Sequence, residues 1–155
     1  MSHGWRENGI VKYAQADLNY PVSLVPVKCL LPTEEHSVAS AGALAESIDQ
    51  AGVWTTPILV EENLLFVMDG HHRLAAARLL ALDFLPCILL GYHDPHVEFA
   101  AWNEARPVTV ADVVRAAQSG TLLPLKTTRH TLMLEIDSIS IELSRLRETA
   151  IVSGG

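Results

Sequence analysis

The chain has 155 residues, of which 49% are hydrophobic and 19% charged, and its formal net charge is −7. This size and balance fit one globular domain with its own core and exclude wholesale disorder. The negative charge argues against a sequence-independent DNA-binding protein, because phosphate backbones require a basic surface. No apolar run approaches the roughly 18 residues needed to cross a bilayer. Residues 1–7 lack the apolar segment of a signal peptide, so we expect a cytoplasmic protein.

The first third of the chain is predicted to contain one strand and one helix. Residues 24–30 form an apolar run that predicts a buried strand. Ser37 or Ser40 can cap a helix that extends to about Ala51, where Gly52 is a typical stop signal.

The middle of the chain is predicted to form a hairpin followed by a helix. Apolar residues 57–60 and 64–68 are separated by three polar residues, which indicates two paired strands. Asp69 and Gly70 then lead into residues 71–82, an Ala- and Leu-rich run that favours a helix.

The segment after this helix is predicted to contain another strand and another helix. Residues 86–90 are apolar and predict a buried strand. Asp94 followed by Pro95 is a helix-start signal, and it predicts a helix that carries Phe99 and Trp102.

The last third is predicted to open with a capped helix and to close with a strand. Thr109 and Asp112 have the spacing of a capping box and open a helix that ends near Gly120. Residues 139–143 alternate as a strand does, although the last of them would also suit a helical turn.

Strands and helices are mixed along the whole length, which predicts the α/β class, here a mixed α+β domain. We expect a single domain over residues 21–155, with a small mixed sheet flanked by helices, preceded by a loosely packed arm over residues 1–20. Cys29 and Cys87 lie far apart in apolar runs, so we expect buried thiols and no metal or redox pair.

The turn at residues 69–73 is the strongest candidate for a binding site. It reads Asp-Gly-His-His-Arg, and it joins an apolar strand to the first turn of a helix. The N–H groups and the dipole at a helix N-terminus favour an anion. The alternative is that the polar residues of this turn are simply solvated and bind nothing. That alternative leaves potentially cationic side chains at the positive end of the dipole, which is unfavourable unless an anion binds.

A second polar cluster, residues 126–130, interrupts apolar surroundings near the C-terminus. It reads Lys-Thr-Thr-Arg-His. A run of this kind is usually a solvated loop, but its hydroxyl groups and cations also suit phosphate or carboxylate recognition.

Two other kinds of site fit the sequence poorly. His71 and His72 are adjacent and would point apart on a helix, and no third zinc ligand accompanies His93 and His96. The Gly-x-x-x-x-Gly-Lys-Ser/Thr pattern of a P-loop is also absent from the sequence, so phosphate binding would use another scaffold.

These motifs together resemble the ParB/sulfiredoxin-like superfamily, and within it the free L-serine kinases. The turn at residues 69–73 resembles the phosphate-binding motif of the superfamily. The stretch Pro32-Thr33-Glu34 resembles the Pro-His-Glu of the kinases, and residues 126–130 repeat their Lys-Thr-Thr-Arg-His. Trp102 stands where those kinases have a tryptophan. The resemblance covers about residues 24–146.

The resemblance implies a kinase that converts free L-serine to O-phospho-L-serine, with ATP or ADP as donor and Mg²⁺ as cofactor. It implies that Glu34 is the catalytic base and that Asp69 is catalytic and holds Mg²⁺, directly or through water. The nucleotide phosphates would be bound by Gly70, His71, His72 and Arg73. The substrate would be bound by Trp102, Lys126, Thr127, Thr128, Arg129 and His130. The expected partners are these small molecules, with neither nucleic acid nor membrane.

The chain departs from the kinases at two places, and two alternatives stay open. Thr33 stands where the kinases have His beside the base, and the segment between Trp102 and Lys126 is shorter than in the archaeal enzymes, which carry a long insertion there. One alternative is a non-catalytic ParB-like nucleotide-binding regulatory module, which would not need Glu34. The other is a kinase of another small hydroxylated amino acid. Sulfiredoxin chemistry is excluded, because its catalytic cysteine would fall within the turn, where this chain has histidine.

Overall fold

The computed structural model describes residues 9–15 and 18–147. Its strands and helices, in chain order, are β1 (Val11–Tyr13), β2 (Val22–Pro26), α1 (Val38–Ala51), β3 (Val53–Trp54), β4 (Ile58–Glu61), β5 (Val67–Asp69), α2 (His71–Leu79), β6 (Phe84–Leu90), β7 (Val97–Ala101), α3 (Val110–Ser119), β8 (Thr128–Leu132), β9 (Ile141–Glu142) and α4 (Leu143–Leu146).

A five-stranded mixed sheet with the strand order β1-β2-β6-β4-β5 forms the centre of the fold. β6 runs parallel to β4 and antiparallel to β2, and the β4–β5 pair is an antiparallel hairpin. β3 pairs with β9, and β7 pairs with β8, in two smaller antiparallel sheets. The predicted mixed α+β domain with a small mixed sheet is therefore confirmed.

The core is built on the two parallel strands, β4 and β6. Nearly every residue of these strands is buried, which explains why they read as continuous apolar runs rather than as alternating ones. Phe66, Leu85 and Val60 are fully inaccessible to solvent. Helices α1 and α2 pack against each other, and α2 contributes the buried Leu74 to the core.

The helix boundaries follow the predicted caps. The Ser37 hydroxyl accepts the N–H of Ser40 at the start of α1, and Gly52 ends the helix in the left-handed region with a φ of 74°. Thr109 and Asp112 form the predicted reciprocal capping box of α3. These local signals were sufficient because each involves residues within one turn of the boundary.

The β4–β5 hairpin carries the chain directly into α2. Asp69 pairs with Leu59 at the end of the hairpin. Gly70 then adopts a φ of 119°, which residues with a side chain rarely adopt. A Cβ at this position would lie 2.6 Å from Cγ2 of Ile58. The glycine is therefore required both by its backbone conformation and by the closeness of β4.

Several predicted elements differ from the structure. The strand predicted at residues 64–68 is β5, which begins only at Val67. The strand predicted at residues 139–143 is reduced to β9, and Leu143 begins α4. The strand predicted at residues 24–30 begins and ends earlier, as β2, and the apolar run continues into a 3-10 turn at Val27–Cys29. The helix predicted after Asp94 and Pro95 is wrong, because this segment forms β7 and pairs with β8. Asp94 accepts the N–H of His96, which closes a short turn before the strand.

The predicted N-terminal arm lies partly outside the described residues. In its described part, β1 adds an edge strand to the central sheet by pairing with β2, so this portion is not loosely packed. The domain boundary near residue 20 stays a prediction. Among the described helices, none has the length and apolar character needed to span a membrane.

Candidate active site

Three segments that are distant in sequence meet around one cavity of about 230 Å³. They are the loop after residue 31, the N-terminus of α2 and the beginning of β8. The residues predicted from the sequence to form the site all line this cavity except Thr127, namely Glu34, Asp69, Gly70, His71, His72, Arg73, Trp102, Lys126, Thr128, Arg129 and His130. Glu35, Met68 and Leu125 line it as well.

Glu34 is a buried carboxylate at the wall of the cavity, with a relative exposure of 6%. Its Oε1 accepts the main-chain N–H of Lys126 at 2.8 Å. Its Oε2 accepts the main-chain N–H of Thr128 at 3.0 Å and the Thr128 hydroxyl at 2.6 Å. Hydrogen bonds to both oxygens fix the orientation of the group. Glu35, by contrast, is exposed.

The loop that carries Glu34 is bound to the first turn of α2. The main-chain N–H of Thr33 donates to Nε2 of His71 at 3.1 Å, and the main-chain N–H of Ser37 donates to Nε2 of His72 at 3.0 Å. Thr33 is fully buried, and its hydroxyl also lies 3.1 Å from Nε2 of His71. The two histidines therefore hold the loop in place on either side of Glu34.

These bonds determine which ring nitrogens can face a ligand. A nitrogen that accepts a hydrogen bond carries no proton, so the ring proton of a neutral histidine must be on the other nitrogen. Burial lowers the pKa of His71 to about 4, with smaller contributions from His72 and His36, so the ring is neutral at pH 7. His71 thus presents Nδ1–H as a neutral donor, in contrast to the potentially cationic side chain considered from the sequence.

The N-terminus of α2 supplies further donors to the cavity. The first main-chain bond of the helix runs from Leu74 N–H to Gly70 C=O, which leaves the N–H groups of residues 71–73 without a helical partner. The Arg73 guanidinium has no hydrogen-bond or ion-pair partner in the described part of the chain. A free cation beside free N–H groups makes this end of the cavity suited to an anion.

Asp69 lies beside this anion site at the end of β5. Burial raises the pKa of its carboxyl group, and the positive charge of Arg73 partly opposes this effect. Within residues 9–15 and 18–147, no group of three or more His, Cys, Asp or Glu side chains could hold a metal ion. The assignment of Asp69 to Mg²⁺ stays a prediction; a single carboxylate is compatible with this ion, which usually takes most of its ligands from phosphate and water oxygens.

The rim of the cavity is cationic and aromatic. Trp102 is 47% exposed. The Arg129 guanidinium lies 5.0 Å and the Lys126 ammonium 5.7 Å from the centre of its ring, so both are within reach of a cation–π interaction. Trp102 is therefore a residue of the rim and not a core aromatic. Lys126 has a φ of 59°, an uncommon conformation for a residue with a side chain.

A buried histidine, His130, also lines the cavity. Its Nε2 lies 2.7 Å from the Tyr92 hydroxyl, and its ring packs against Phe99. Burial lowers the pKa of His130 to about 4, although the nearby main chain of Met68 opposes this effect. No described group meets hydrogen-bond geometry with its Nδ1.

A solvated loop was the alternative interpretation of residues 126–130, and most of these residues do not form one. Residues 128–130 belong to β8, where Thr128 and His130 are buried and Arg129 is exposed. Thr127 lies outside the cavity, and its hydroxyl donates to the main-chain oxygen of Pro124. It lines a larger cavity of about 510 Å³ that is bounded by α3.

Some contributors to the site carried no signal in the sequence. Tyr92 supports His130 from the loop after β6, and Leu123 forms a bridge with Glu34 through the main chain. Ser37 was predicted as a helix cap, but its contact with His72 was not foreseen. These contacts depend on long-range folding, and no local pattern reports them.

Comparison with solved structures shows that the chain has the ParB-like fold. A free serine kinase in complex with AMP has a TM-score of 0.72 to this chain at 16% identity, and the match covers 85% of this chain and 95% of that one. SbnI from Staphylococcus aureus, with a C-terminal truncation, also has a TM-score of 0.72, at 13% identity over 83% of this chain and 90% of that chain. At these identities the likeness shows the fold alone.

Relatives in sequence carry two kinds of name. A ParB-like protein of Sulfolobus acidocaldarius is 30% identical over 103 residues, which are 65% of this chain and 51% of that protein. An ATP-dependent L-serine kinase of Staphylothermus marinus is 36% identical over 86 residues, which are 53% of this chain and 34% of that protein. An ADP-dependent L-serine kinase of Thermococcus kodakarensis is 28% identical over 87 residues, which are 54% of this chain and 36% of that protein.

The chain therefore spans about half or less of the length of these curated relatives. No family model matches it. The predicted resemblance to ParB-like proteins and to L-serine kinases is confirmed by the relatives in sequence and by the solved structures.

Proposed function

We propose that this protein is a nucleotide-dependent kinase that phosphorylates free L-serine to O-phospho-L-serine. The observation that carries the proposal is the position of Glu34, a buried carboxylate that lines the same cavity as the free N–H groups and the guanidinium at the start of α2. A cavity with an anion site at one end and an oriented carboxylate at its wall has the parts that phosphoryl transfer to a hydroxyl requires. Relatives named as ATP- and ADP-dependent L-serine kinases support this reading.

In this proposal, each part of the cavity has one task. Glu34 accepts the proton of the serine hydroxyl as that oxygen attacks the terminal phosphoryl group of ATP or ADP. The N–H groups of residues 71–73 and the Arg73 guanidinium hold the nucleotide phosphates. His71 adds a neutral donor at Nδ1. Lys126 and Arg129, at the rim, gather the carboxylate of the amino acid or the transferred phosphoryl group.

The donor set at the end of β5 fits Mg²⁺ bound through few protein ligands. Mg²⁺ is usually held by one or two carboxylates together with phosphate oxygens and water. Asp69 would hold it, directly or through water, and its carboxylate makes no hydrogen bond in the described part of the chain. When bound, the ion would neutralise charge on the transferring phosphoryl group.

A second candidate is a ParB-like regulatory module that binds nucleotide without turnover. It is favoured by the ParB-like name of the relative from Sulfolobus acidocaldarius. Such a module needs the anion site at α2, but it has no use for an oriented carboxylate at the wall of the cavity. Glu34 therefore favours the kinase.

One experiment separates these functions. The protein is incubated with ATP or ADP and Mg²⁺ in the presence of serine, threonine or homoserine, and the products are followed by ³¹P NMR. We expect a phosphoserine resonance with serine. Phosphorylation of threonine or homoserine in preference to serine would assign that amino acid as the substrate in place of serine. Tight nucleotide binding without any product would favour the regulatory module.

A further inference from the structure

Thr128 is the residue in closest contact with the carboxylate of Glu34. It begins β8, and its relative exposure is 7%. It donates twice to the same oxygen, Oε2, through its main-chain N–H and its side-chain hydroxyl. The hydroxyl bond, at 2.6 Å, is the shorter of the two, as is usual for a hydroxyl that donates to a charged oxygen.

These contacts leave Thr128 without a donor for a substrate. A hydroxyl group has one hydrogen, and here Glu34 accepts it. The main-chain N–H is occupied in the same way, as is that of Lys126. Carboxylates and phosphates need donors, so Thr128 cannot recognise them with the groups it has left. The exposed cations of Lys126 and Arg129 remain free for that purpose.

The same contacts make the two oxygens of Glu34 unequal. A carboxylate oxygen has two lone pairs. Both lone pairs of Oε2 are used by Thr128, whereas Oε1 accepts, within the described part of the chain, only the N–H of Lys126. Oε1 therefore keeps one lone pair unused, on a residue that lines the cavity.

We propose that Thr128 is a positioning residue that holds Oε2 of Glu34, so that Oε1 is the oxygen that takes the proton from the substrate hydroxyl. The inference rests on the proposed kinase function. In the step, the substrate O–H bond breaks and its proton binds to Oε1. The hydroxyl oxygen forms a bond to the terminal phosphorus, and the bond from that phosphorus to the leaving nucleotide oxygen breaks. The resemblance to the serine kinases implied instead that Thr128 contacts the substrate.

The fold explains why β8 can perform this task. β8 is fixed by its antiparallel pairing with β7, in which Thr128 lies opposite Ala101. The left-handed conformation of Lys126, just before the strand, belongs to the turn that aims a second N–H at Glu34. Unusual backbone conformations of this kind persist where the surrounding structure fixes them, often at functional sites.

The kinetic test uses substitutions at Thr128 that change only the hydroxyl. Thr128→Val removes the hydroxyl and keeps the branched shape and the main-chain N–H, and Thr128→Ser keeps the hydroxyl. We expect the valine variant to lower kcat about 10- to 100-fold, with KM for serine within about twofold of the wild type, because the hydrogen bond from the hydroxyl to the charged carboxylate is lost. The serine variant should recover most of the loss.

Thr131→Val is the matched control. Thr131 lies on the same strand with its side chain on the opposite, exposed face. The substitution should therefore leave kcat and KM unchanged. A rise in KM for serine in Thr128→Val, with kcat intact, would make Thr128 a substrate ligand and overturn the proposal. Wild-type kinetics in Thr128→Val would overturn it too. Thr128→Ala removes the same hydroxyl and replaces the valine variant if that variant does not fold.

A second measurement separates this proposal from the kinase function. The chemical shift of the Glu34 carboxyl carbon is measured by ¹³C NMR in the free protein at neutral pH, with no substrate present. Loss of the Thr128 hydroxyl removes a hydrogen bond to this carboxylate, so the resonance should move in Thr128→Val and stay in place in Thr131→Val. An unmoved resonance in Thr128→Val would overturn the positioning role even if the wild type made phosphoserine.

Discussion

The main-chain N–H of Thr33 donates a 3.1 Å hydrogen bond to Nε2 of His71. This bond joins the loop that carries Glu34 to the helix that carries the proposed phosphate site. Because Nε2 accepts this bond, the proton of the neutral His71 ring is on Nδ1. The donor in this bond is a main-chain group, so the bond itself does not depend on the threonine that stands where the resembling kinases have histidine.

Glu34 and Glu35 are adjacent carboxylates, and the proposed function gives them different roles. A positioned general base contributes roughly 10²–10⁴-fold to the rate. We therefore expect Glu34→Gln to lower kcat for phosphoserine formation by about that factor while nucleotide affinity is retained. Glu35→Gln, the control, replaces an exposed side chain and should change kcat little. Equal turnover by the two variants would remove Glu34 as the base.

Arg73 is predicted to bind nucleotide phosphate. It lies on the first turn of α2 and has no ion-pair partner in the part of the chain that the structure describes. Removal of a charge-assisted hydrogen bond costs about 1.5–3 kcal/mol, so we expect Arg73→Ala to weaken nucleotide binding about 10- to 100-fold, as measured by calorimetry.

Arg78 is the matched control for Arg73, since it is an exposed arginine in the last turn of the same helix. Arg78→Ala should leave the affinity for nucleotide unchanged. If a folded Arg73→Ala protein bound nucleotide as tightly as the wild type, the phosphate site would not be at the start of α2.

The parts of the fold that the sequence could predict depend on local signals. Ser37, Gly52, Thr109 and Gly120 each mark a helix boundary through contacts within one turn. The segment after Asp94 was predicted wrongly because its conformation depends on a distant strand. In β7, Val97 pairs with Leu132 and Ala101 with Thr128, and no pattern inside the segment reports that partner.

In the candidate site, too, local motifs predicted some features, and others depend on contacts between distant parts of the chain. The motif around Gly70, the early Pro-x-Glu and the Lys-Thr-Thr-Arg-His run each contributed residues that line one cavity, whereas Thr127 of the last run lies outside it. The direction of each hydrogen bond was not accessible from the sequence. The acceptor roles of His71 and His72 and the contact of Thr128 with Glu34 require the folded chain.

Gly70 is predicted to be indispensable for both stability and binding. Gly70→Ala would combine a left-handed backbone conformation with a Cβ that lies 2.6 Å from Cγ2 of Ile58. Strain and overpacking of this kind cost roughly 2–5 kcal/mol together. We expect a loss of this size in the free energy of unfolding, measured with urea, and weaker nucleotide binding because the start of α2 must shift.

At Gly42, in contrast to Gly70, we expect a substitution by alanine to stabilise the protein. Gly42 lies inside α1, and a Cβ there would meet nothing within 4 Å. Gly42→Ala should stabilise the protein by roughly 0.5–1 kcal/mol, because alanine favours the helix. A Gly70→Ala protein as stable as the wild type would contradict the close contact between α2 and β4.

The last prediction concerns the stability of the fold at acid pH. Burial lowers the pKa of His130 from 6.5 to about 4. Between these two values the unfolded chain binds a proton that the folded chain does not, so acid favours unfolding. His130 has no such effect above about pH 6.5. Stability is lost as the pH falls from 6.5 toward 4, and the loss due to His130 is on the order of 1–2 kcal/mol at pH 5.

We expect His130→Gln to lose less stability than the wild type between pH 7 and pH 5, as measured by urea unfolding at both pH values. Glutamine does not titrate, but it can still form a hydrogen bond with the Tyr92 hydroxyl. His71, whose pKa is also lowered to about 4, stays in both proteins, so a part of the acid sensitivity should remain. His93→Gln is the control, because the side chain of His93 is 78% exposed. If His130→Gln and the wild type lost the same free energy of unfolding over this range, the buried, neutral state of His130 would be refuted.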